Sequence, residues 1–233
     1  MIGAVMDEFD EYKGEEGYKN TLNEYLKGTK TEITAEDLEG VTKIEKYSFS
    51  YSPITSIDIP QSVVVIDERA FYYCTKLKSV TVPDSVTTLG NGAFERASSL
   101  ETLVLGNGIT HIPNNLCGYV PLKQLTIGNS VVSFGTTAFV NTKLTSVVLP
   151  STVTTMGVHV FWNGDFKEII CLAENPPTIQ ATTFEGSYLK TCIFKVPAGS
   201  VEAYKTATNW SAFADNIIAL TDEEVLQYGN NEN

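Results

Sequence analysis

Hydrophobic and polar positions over residues 41–197 form a block that recurs every 22 or 23 residues. Each block holds an apolar residue, two polar residues and an apolar–any–apolar triplet, as in residues 77–83 and 100–106. The triplet alternates with the period of two of a β-strand. Pro or Gly often follows, where a strand has to stop. The pattern therefore predicts one short strand per block.

A second pattern, an aromatic residue preceded by a small or β-branched one, runs in step with the first. These anchor residues are Phe49, Phe71, Phe94, Phe139, Phe161 and Phe184, with Leu116 filling the one gap. Stacked units would bury leucine on leucine and phenyl ring on phenyl ring, which one unit cannot do alone. We predict a mainly β repeat solenoid of about seven 22/23-residue units. A β-sandwich is disfavoured because it does not keep such a register.

The two ends of the chain depart from the repeat. Residues 1–30 are acidic, and the apolar spacing in 18–26 predicts either a short amphipathic helix or a docking element for another chain. The solenoid is expected over 31–197. A C-terminal cap is expected over 198–220, with a short helix after Ser200. The acidic residues 221–233 are expected to be a frayed tail.

Charge narrows the class of partner. The formal net charge is -12, but it lies mostly in the two ends, and residues 41–220 carry a net charge of only -1. Without a basic stripe, a nucleic-acid partner is not expected. We also expect no membrane insertion, because no stretch approaches the ~18 apolar residues of a span. The first residues lack the basic and long apolar regions of a signal peptide, so none is expected.

Residue types that carry chemistry are scarce. The two histidines, His111 and His159, fall two units apart at different positions in the unit. The four cysteines show no C-x-x-C spacing, which disfavours a zinc site. Cys171 and Cys192 would lie diagonally in adjacent units at ~7–8 Å, too far for an easy disulfide. We predict buried free thiols, no metal, no cofactor and no catalytic activity.

Two sets of outward positions are candidate contact surfaces. One is the fifth position of the strand block, which becomes more apolar toward the C-terminus. This set comprises Val104, Thr126, Val148, Ile170 and Ile193. These residues would either stabilise the exposed sheet or form a binding ridge. The other set lies in the loops after the anchors and is rich in Tyr, Trp and Arg, which are favoured in binding hot spots. Its main candidates are Tyr73, Trp162 and Tyr188.

The combined motif, read from Leu77 to Ala97 with Cys74 closing the previous unit, resembles the BspA-like leucine-rich repeats. The resemblance covers about residues 41–197. It implies a right-handed curved solenoid, a bacterial surface location and binding to host or matrix proteins. The function expected on this basis is an adhesin-like binding module for a protein or a glycan. The alternative is a structural or host-recognition component of a prophage or similar assembly, suggested by the missing leader and the N-terminal helix.

Overall fold

A computed structural model describes residues 30–186 and 191–229. The helix expected near the N-terminus and the candidate Tyr188 lie outside these residues. The described residues form fifteen strands, all short. They are β1 (Glu32–Ile33), β2 (Lys43–Ile44), β3 (Ser56–Ile57), β4 (Val65–Ile66), β5 (Ser79–Val82), β6 (Thr88–Leu89), β7 (Thr102–Leu105), β8 (His111–Ile112), β9 (Gln124–Thr126), β10 (Ser133–Phe134), β11 (Ser146–Leu149), β12 (Thr155–Met156), β13 (Glu168–Cys171), β14 (Ile193–Val196) and β15 (Ile217–Ala219).

Equivalent strands of successive units pair in parallel, as a solenoid requires. The strand of each block forms one face, in the sheets β1-β3, β5-β7-β9 and β11-β13-β14-β15. The shorter strands β2-β4-β6 and β8-β10-β12 form a second side. Val80 pairs with Leu103 and Leu103 with Leu125, so each inward residue stacks on its equivalent one unit later. The predicted mainly β repeat fold is confirmed.

A stack of phenylalanine rings fills the side of the core opposite the strand face. Phe49, Phe71 and Phe94 lie at centroid distances of 5.2 and 5.3 Å with nearly parallel planes. Phe139 and Phe161 continue it at 5.6 Å. These rings are 0–1% exposed. Because each ring covers the next, the solenoid gains both buried apolar area and ring stacking.

The gap in this stack is filled by Cys117, and the expectation that Leu116 fills it is wrong. Phe94 N–H donates to the Leu116 carbonyl at 2.9 Å, and Cys117 N–H donates to the Ala138 carbonyl at 2.8 Å. These bonds align Cys117 with the phenylalanines and align Leu116 with Ala93 and Ala138. Leu116 is fully buried. It therefore adds apolar volume in the unit where the anchor side chain is small.

In the six units from Phe49 to Phe161, two backbone positions have positive φ, two residues before and two residues after the anchor position. Their non-glycine members are Tyr47, Arg69, Asn115, Thr137 and His159 before the anchor, and Tyr51, Tyr73, Arg96, Tyr119, Asn141 and Asn163 after it. Their N–H groups donate to carbonyls of the next unit, as Tyr51 does to Tyr72 at 2.7 Å. This inter-unit bonding offsets the steric cost of the left-handed conformation in residues other than glycine.

The C-terminal cap closes the core with aromatic residues. Its short helix, α1 (Val201–Thr206), follows Ser200 as expected, although the Ser200 side chain makes no capping hydrogen bond. Tyr204 and Trp210 are fully buried against each other, with centroids 5.0 Å apart. The Tyr204 hydroxyl donates to the Ala173 carbonyl at 2.8 Å, and Trp210 Nε1 donates to the Pro177 carbonyl at 2.7 Å. Both rings therefore bury their apolar atoms while their polar atoms keep partners.

A second helix, α2 (Asp222–Gly229), stands where a frayed acidic tail was expected. Thr221 and Glu224 form a capping box at its start. The Thr221 N–H donates to Glu224 Oε2 at 2.9 Å, and the Glu224 N–H donates to Thr221 Oγ1 at 3.3 Å. The three acidic residues of the first turn also interact favourably with the helix dipole. The expectation of a frayed segment is therefore wrong over 222–229.

Candidate interaction surfaces

The outer positions of the strand face do not form the apolar row expected from the sequence. In the register of the sheet, Ile193 pairs with Glu168, and Lys195 takes the place beside Ile170. Phe194 occupies the inward place beside Ile169. The unit between β13 and β14 is two residues longer than the repeat period predicts. Each outward residue of β14 therefore lies one outward position earlier in the strand than expected. Placing Ile193 in the fifth-position row is therefore wrong.

The remaining members of this row differ in exposure. Thr126 is exposed, and Val104 and Val148 are half-buried. Ile170 is 1% exposed, although its position in the strand points away from the core. Such burial needs a covering element on the outside of the sheet.

Helix α2 is that covering element. Glu224 pairs with Lys195, which lies next to Ile170 in the sheet. Tyr228, one turn later, lines an open cleft on the strand face together with Val104, Thr126 and Val148. This strand-face cleft has a volume of about 460 Å³. The C-terminal part of the strand face is therefore occupied by the chain itself.

The charged contact under α2 has three members. Lys195 Nζ lies 2.8 Å from Glu168 Oε2 and also contacts Glu224 Oε1. The side chains are 20%, 34% and 18% exposed, respectively, so the group is partly shielded from water. Hydrogen bonds from Lys195 and Thr221 hold the pKa of Glu224 below its ordinary value. Hydrogen bonds to Glu168 and Glu224 raise the pKa of Lys195.

A second surface runs along the loops after the anchors in the first four units. We call Tyr51, Tyr73, Arg96 and Tyr119 the ridge, because they occupy the same positive-φ position in successive units. The three tyrosines are 55%, 38% and 51% exposed, in that order. Their N–H groups bond to the following unit at 2.7–3.0 Å. The backbone of the ridge is therefore fixed while its side chains face solvent.

The ridge side chains contact one another in two pairs. The Tyr51 and Tyr73 rings stack with centroids 5.1 Å apart and planes 20° apart. Arg96 Cζ lies 5.0 Å from the centroid of Tyr119. Glu95 lies between two arginines, 3.7 Å from Arg69 Nε and 3.9 Å from Arg96 Nε, and its side chain is 14% exposed. These stacking, cation–π and ionic contacts order long side chains before any partner arrives.

The ridge ends at the fifth unit. Asn141 and Asn163 continue the row, joined by a hydrogen bond of 2.7 Å from Asn163 Nδ2 to Asn141 Oδ1. Trp162 stands one residue from the row, half-buried near His159 at a centroid distance of 6.2 Å. It lies four units from Tyr73, roughly 20 Å along the axis at the usual strand spacing. The structure therefore separates Trp162 from Tyr73.

The cysteine and histidine side chains, which were considered as carriers of chemistry, are buried in the fold or contact neighbouring side chains. All four cysteines are free and buried, as predicted. Burial raises the pKa of Cys74 and of Cys192 to about 12, so these thiols stay protonated at neutral pH. The His111 ring lies 2.8 Å from Ser133 Oγ, and His159 Nε2 lies 2.9 Å from Glu185 Oε2. Within residues 30–186 and 191–229, no three His, Cys, Asp or Glu side chains form a metal-binding group.

Comparison with known proteins places this geometry in a family. No curated protein matches the chain significantly. A solved leucine-rich repeat protein from Eubacterium ventriosum has 24% identity and a TM-score of 0.58, covering 68% of this chain and 43% of its own. A leucine-rich cell surface protein from Faecalibacterium prausnitzii has 27% identity and a TM-score of 0.46, with coverages of 60% and 45%. The chain thus spans less than half the length of either protein.

Among the described residues, no helix is long and apolar enough to cross a bilayer.

The family itself is identified by a sequence profile. The profile of the BspA type leucine-rich repeat region matches six copies, over residues 42–167 and 115–209. These ranges include strands β2 to β14, the phenylalanine stack and the ridge. The chain therefore belongs to the BspA-type leucine-rich repeat family.

Proposed function

We propose that the chain is a non-catalytic, adhesin-like module that binds a protein, and that the ridge is its contact surface. The observation that carries the proposal is the exposed row of three tyrosines and one arginine at one position of four successive units, packed as the pairs Tyr51–Tyr73 and Arg96–Tyr119. Tyr and Arg are the residues that most often dominate binding energy at protein interfaces. Family membership supports the same general role.

The packing of the ridge favours a protein over a glycan. One face of the Tyr51 ring is covered by Tyr73, and one face of the Tyr119 ring by Arg96. These faces are not open for a sugar ring to stack on them. Ring edges, hydroxyls and guanidinium donors are left for the partner, and they suit backbone carbonyls and carboxylates. A tyrosine also loses little conformational freedom on binding, because it has few rotatable bonds.

The test uses Tyr73→Asn, which gives the ridge the residue that the same row carries at Asn141. Asparagine tolerates positive φ, so the backbone should be unaffected. The purified chain and its variants are applied to immobilised extracellular-matrix proteins and, in parallel, to a glycan array. We expect Tyr73→Asn to weaken binding to a matrix protein about tenfold or more, as for a hot-spot residue. Asn141→Gly, in the same row but outside the ridge, should leave binding unchanged.

Two outcomes contradict the proposal. One is binding to a matrix protein that Tyr73→Asn and Tyr119→Asn leave unchanged. The other is binding confined to the glycan array. Circular dichroism and urea unfolding of each variant establish that a loss of binding does not come from a loss of fold.

A further inference from the structure

Helix α2 is held on the strand face by few side chains. Glu224 pairs with Lys195, and Tyr228 follows one turn later in the strand-face cleft. Residues four apart lie on the same side of a helix, so one side of α2 carries both contacts. Val225 and Leu226 are 49% and 67% exposed and point away from the sheet. The helix therefore presents a carboxylate and an aromatic ring to the face and leaves apolar side chains in solvent.

The helix is too short to persist without the face. It has eight residues, whereas isolated helices shorter than ~12–15 residues are marginal in water. Glu224 has two roles, because Oε2 caps the helix at Thr221 and Oε1 contacts Lys195. Docking of α2 and formation of α2 are therefore coupled.

The segment that would move begins at Thr221. Leu220 is 7% exposed, and its N–H donates to the Val196 carbonyl at 2.8 Å, which fixes the chain to β14. Local opening of a short element that is held by few contacts costs far less free energy than global unfolding. Opening would expose Ile170, which is otherwise 1% exposed, next to Lys195.

We propose that this part of the strand face is a peptide-binding surface whose built-in ligand is α2. The partner is a protein segment that has the chemistry of α2, with a carboxylate for Lys195 and, four residues later, an aromatic side chain for the strand-face cleft. Charge complementarity and the shape seen with α2 in place support this choice. The surface is separate from the ridge, so each proposal stands or fails without the other.

The test uses the full chain and a fluorescein-labelled peptide with the sequence of residues 220–229. In the wild-type protein the peptide competes with α2 and binds weakly. Glu224→Gln in the protein removes the charge that meets Lys195, while glutamine preserves the capping box. The open state becomes more populated, so the peptide should bind about tenfold more tightly. Glu223→Gln, the same change on an exposed neighbour, should leave the affinity unchanged.

A second peptide and a second variant check the anchor. A peptide with glutamine in place of the residue equivalent to Glu224 should bind at least about tenfold more weakly. Lys195→Met should abolish peptide binding in the Glu224→Gln background. The proposal is overturned if the wild type, Glu224→Gln and Glu223→Gln bind the peptide equally, or if Lys195→Met leaves binding intact. NMR signals of α1 report in each case that the solenoid remains folded.

Discussion

At the scale of single residues, the solenoid places several non-glycine residues at positive φ, a backbone conformation that most residues rarely adopt. Asparagine is the residue best suited to positive φ after glycine, and Asn115, Asn141 and Asn163 are placed accordingly. Thr137, with φ of 55°, is β-branched and is therefore the least suited member. The bonds to the next unit stabilise a residue that local preference would exclude.

Thr137→Asn is expected to stabilise the protein by up to about 1 kcal/mol, because it relieves the strain of a β-branched residue at positive φ. Urea unfolding followed by circular dichroism measures the change. Thr136→Asn, whose φ is not positive, serves as the control and should give less than half of this effect. A lower unfolding midpoint for Thr137→Asn would show that its side-chain bond to Asn115 matters more than the strain.

The phenylalanine stack gives a second residue-scale expectation. Phe94→Ala should destabilise the protein by about 3–5 kcal/mol, because it leaves a cavity between Phe71 and the unit of Cys117. Cys117→Ala, at the same position one unit later, removes a single sulfur atom and should cost about 1 kcal/mol. Urea denaturation of both variants tests the difference. Similar losses for the two would mean that the rings are not the main source of stability here.

At the scale of elements, α2 and β14 show how one charged group couples a helix to a sheet. Glu224 caps α2 and meets Lys195 of β14, while Glu168 of β13 and Tyr228 of α2 complete the surroundings of the lysine. The pKa of Glu224 is lowered from the ordinary value of 4.5. A lowered carboxyl pKa stabilises the docked state above pH 4.5, and this contribution is lost as the pH falls through the lowered value.

We therefore expect α2 to undock in acid while the solenoid stays folded. Backbone NMR shifts of residues 222–229 should move toward coil values as the pH falls below about 4.5, whereas those of α1 stay constant. The raised pKa of Lys195 gives the opposite limit, because its contribution is fully present below its ordinary pKa of 10.5 and is lost as the pH rises through the raised value. Simultaneous loss of α1 and α2 signals would argue against separate undocking.

The elements also differ in how well the sequence predicts them. The strand of each unit could be predicted, because apolar residues alternate with period two and Pro or Gly marks the ends. The register of β14 could not, because two extra residues between Phe184, which still stacks on Phe161, and β14 leave the local pattern intact while shifting the pairing. Helix α2 is hidden in the sequence by its acidic composition, although the spacing of Thr221 and Glu224 is that of a capping box.

The candidate surfaces were predictable to a smaller extent. The tyrosines after the anchors are visible in the sequence, but their stacking depends on a positive φ that no glycine marks. The cover over Ile170 depends on a contact between residues far apart in the chain, which periodicity does not reveal. Local patterns thus predict the repeating unit, whereas surfaces made by two distant segments need the coordinates.

At the scale of the whole molecule, no disulfide contributes to stability, since the four cysteines are free. Reducing agent should therefore leave the unfolding midpoint unchanged. A thiol reagent should label none of the cysteines in the native protein and four in denaturant, because all four are buried. Mass spectrometry after brief labelling measures this, and rapid labelling of Cys192 in the native state would indicate local opening near β14.

The parallel pairing of equivalent strands also governs how the molecule responds to pulling. When the two ends are drawn apart, tension acts on the outermost unit first, because each unit bonds mainly to its neighbours. Releasing one unit frees 22 or 23 residues, which is roughly 75 Å of extended chain. Under tension the protein would release one unit at a time and lengthen in small steps, so it would act as an extensible tether rather than a rigid rod.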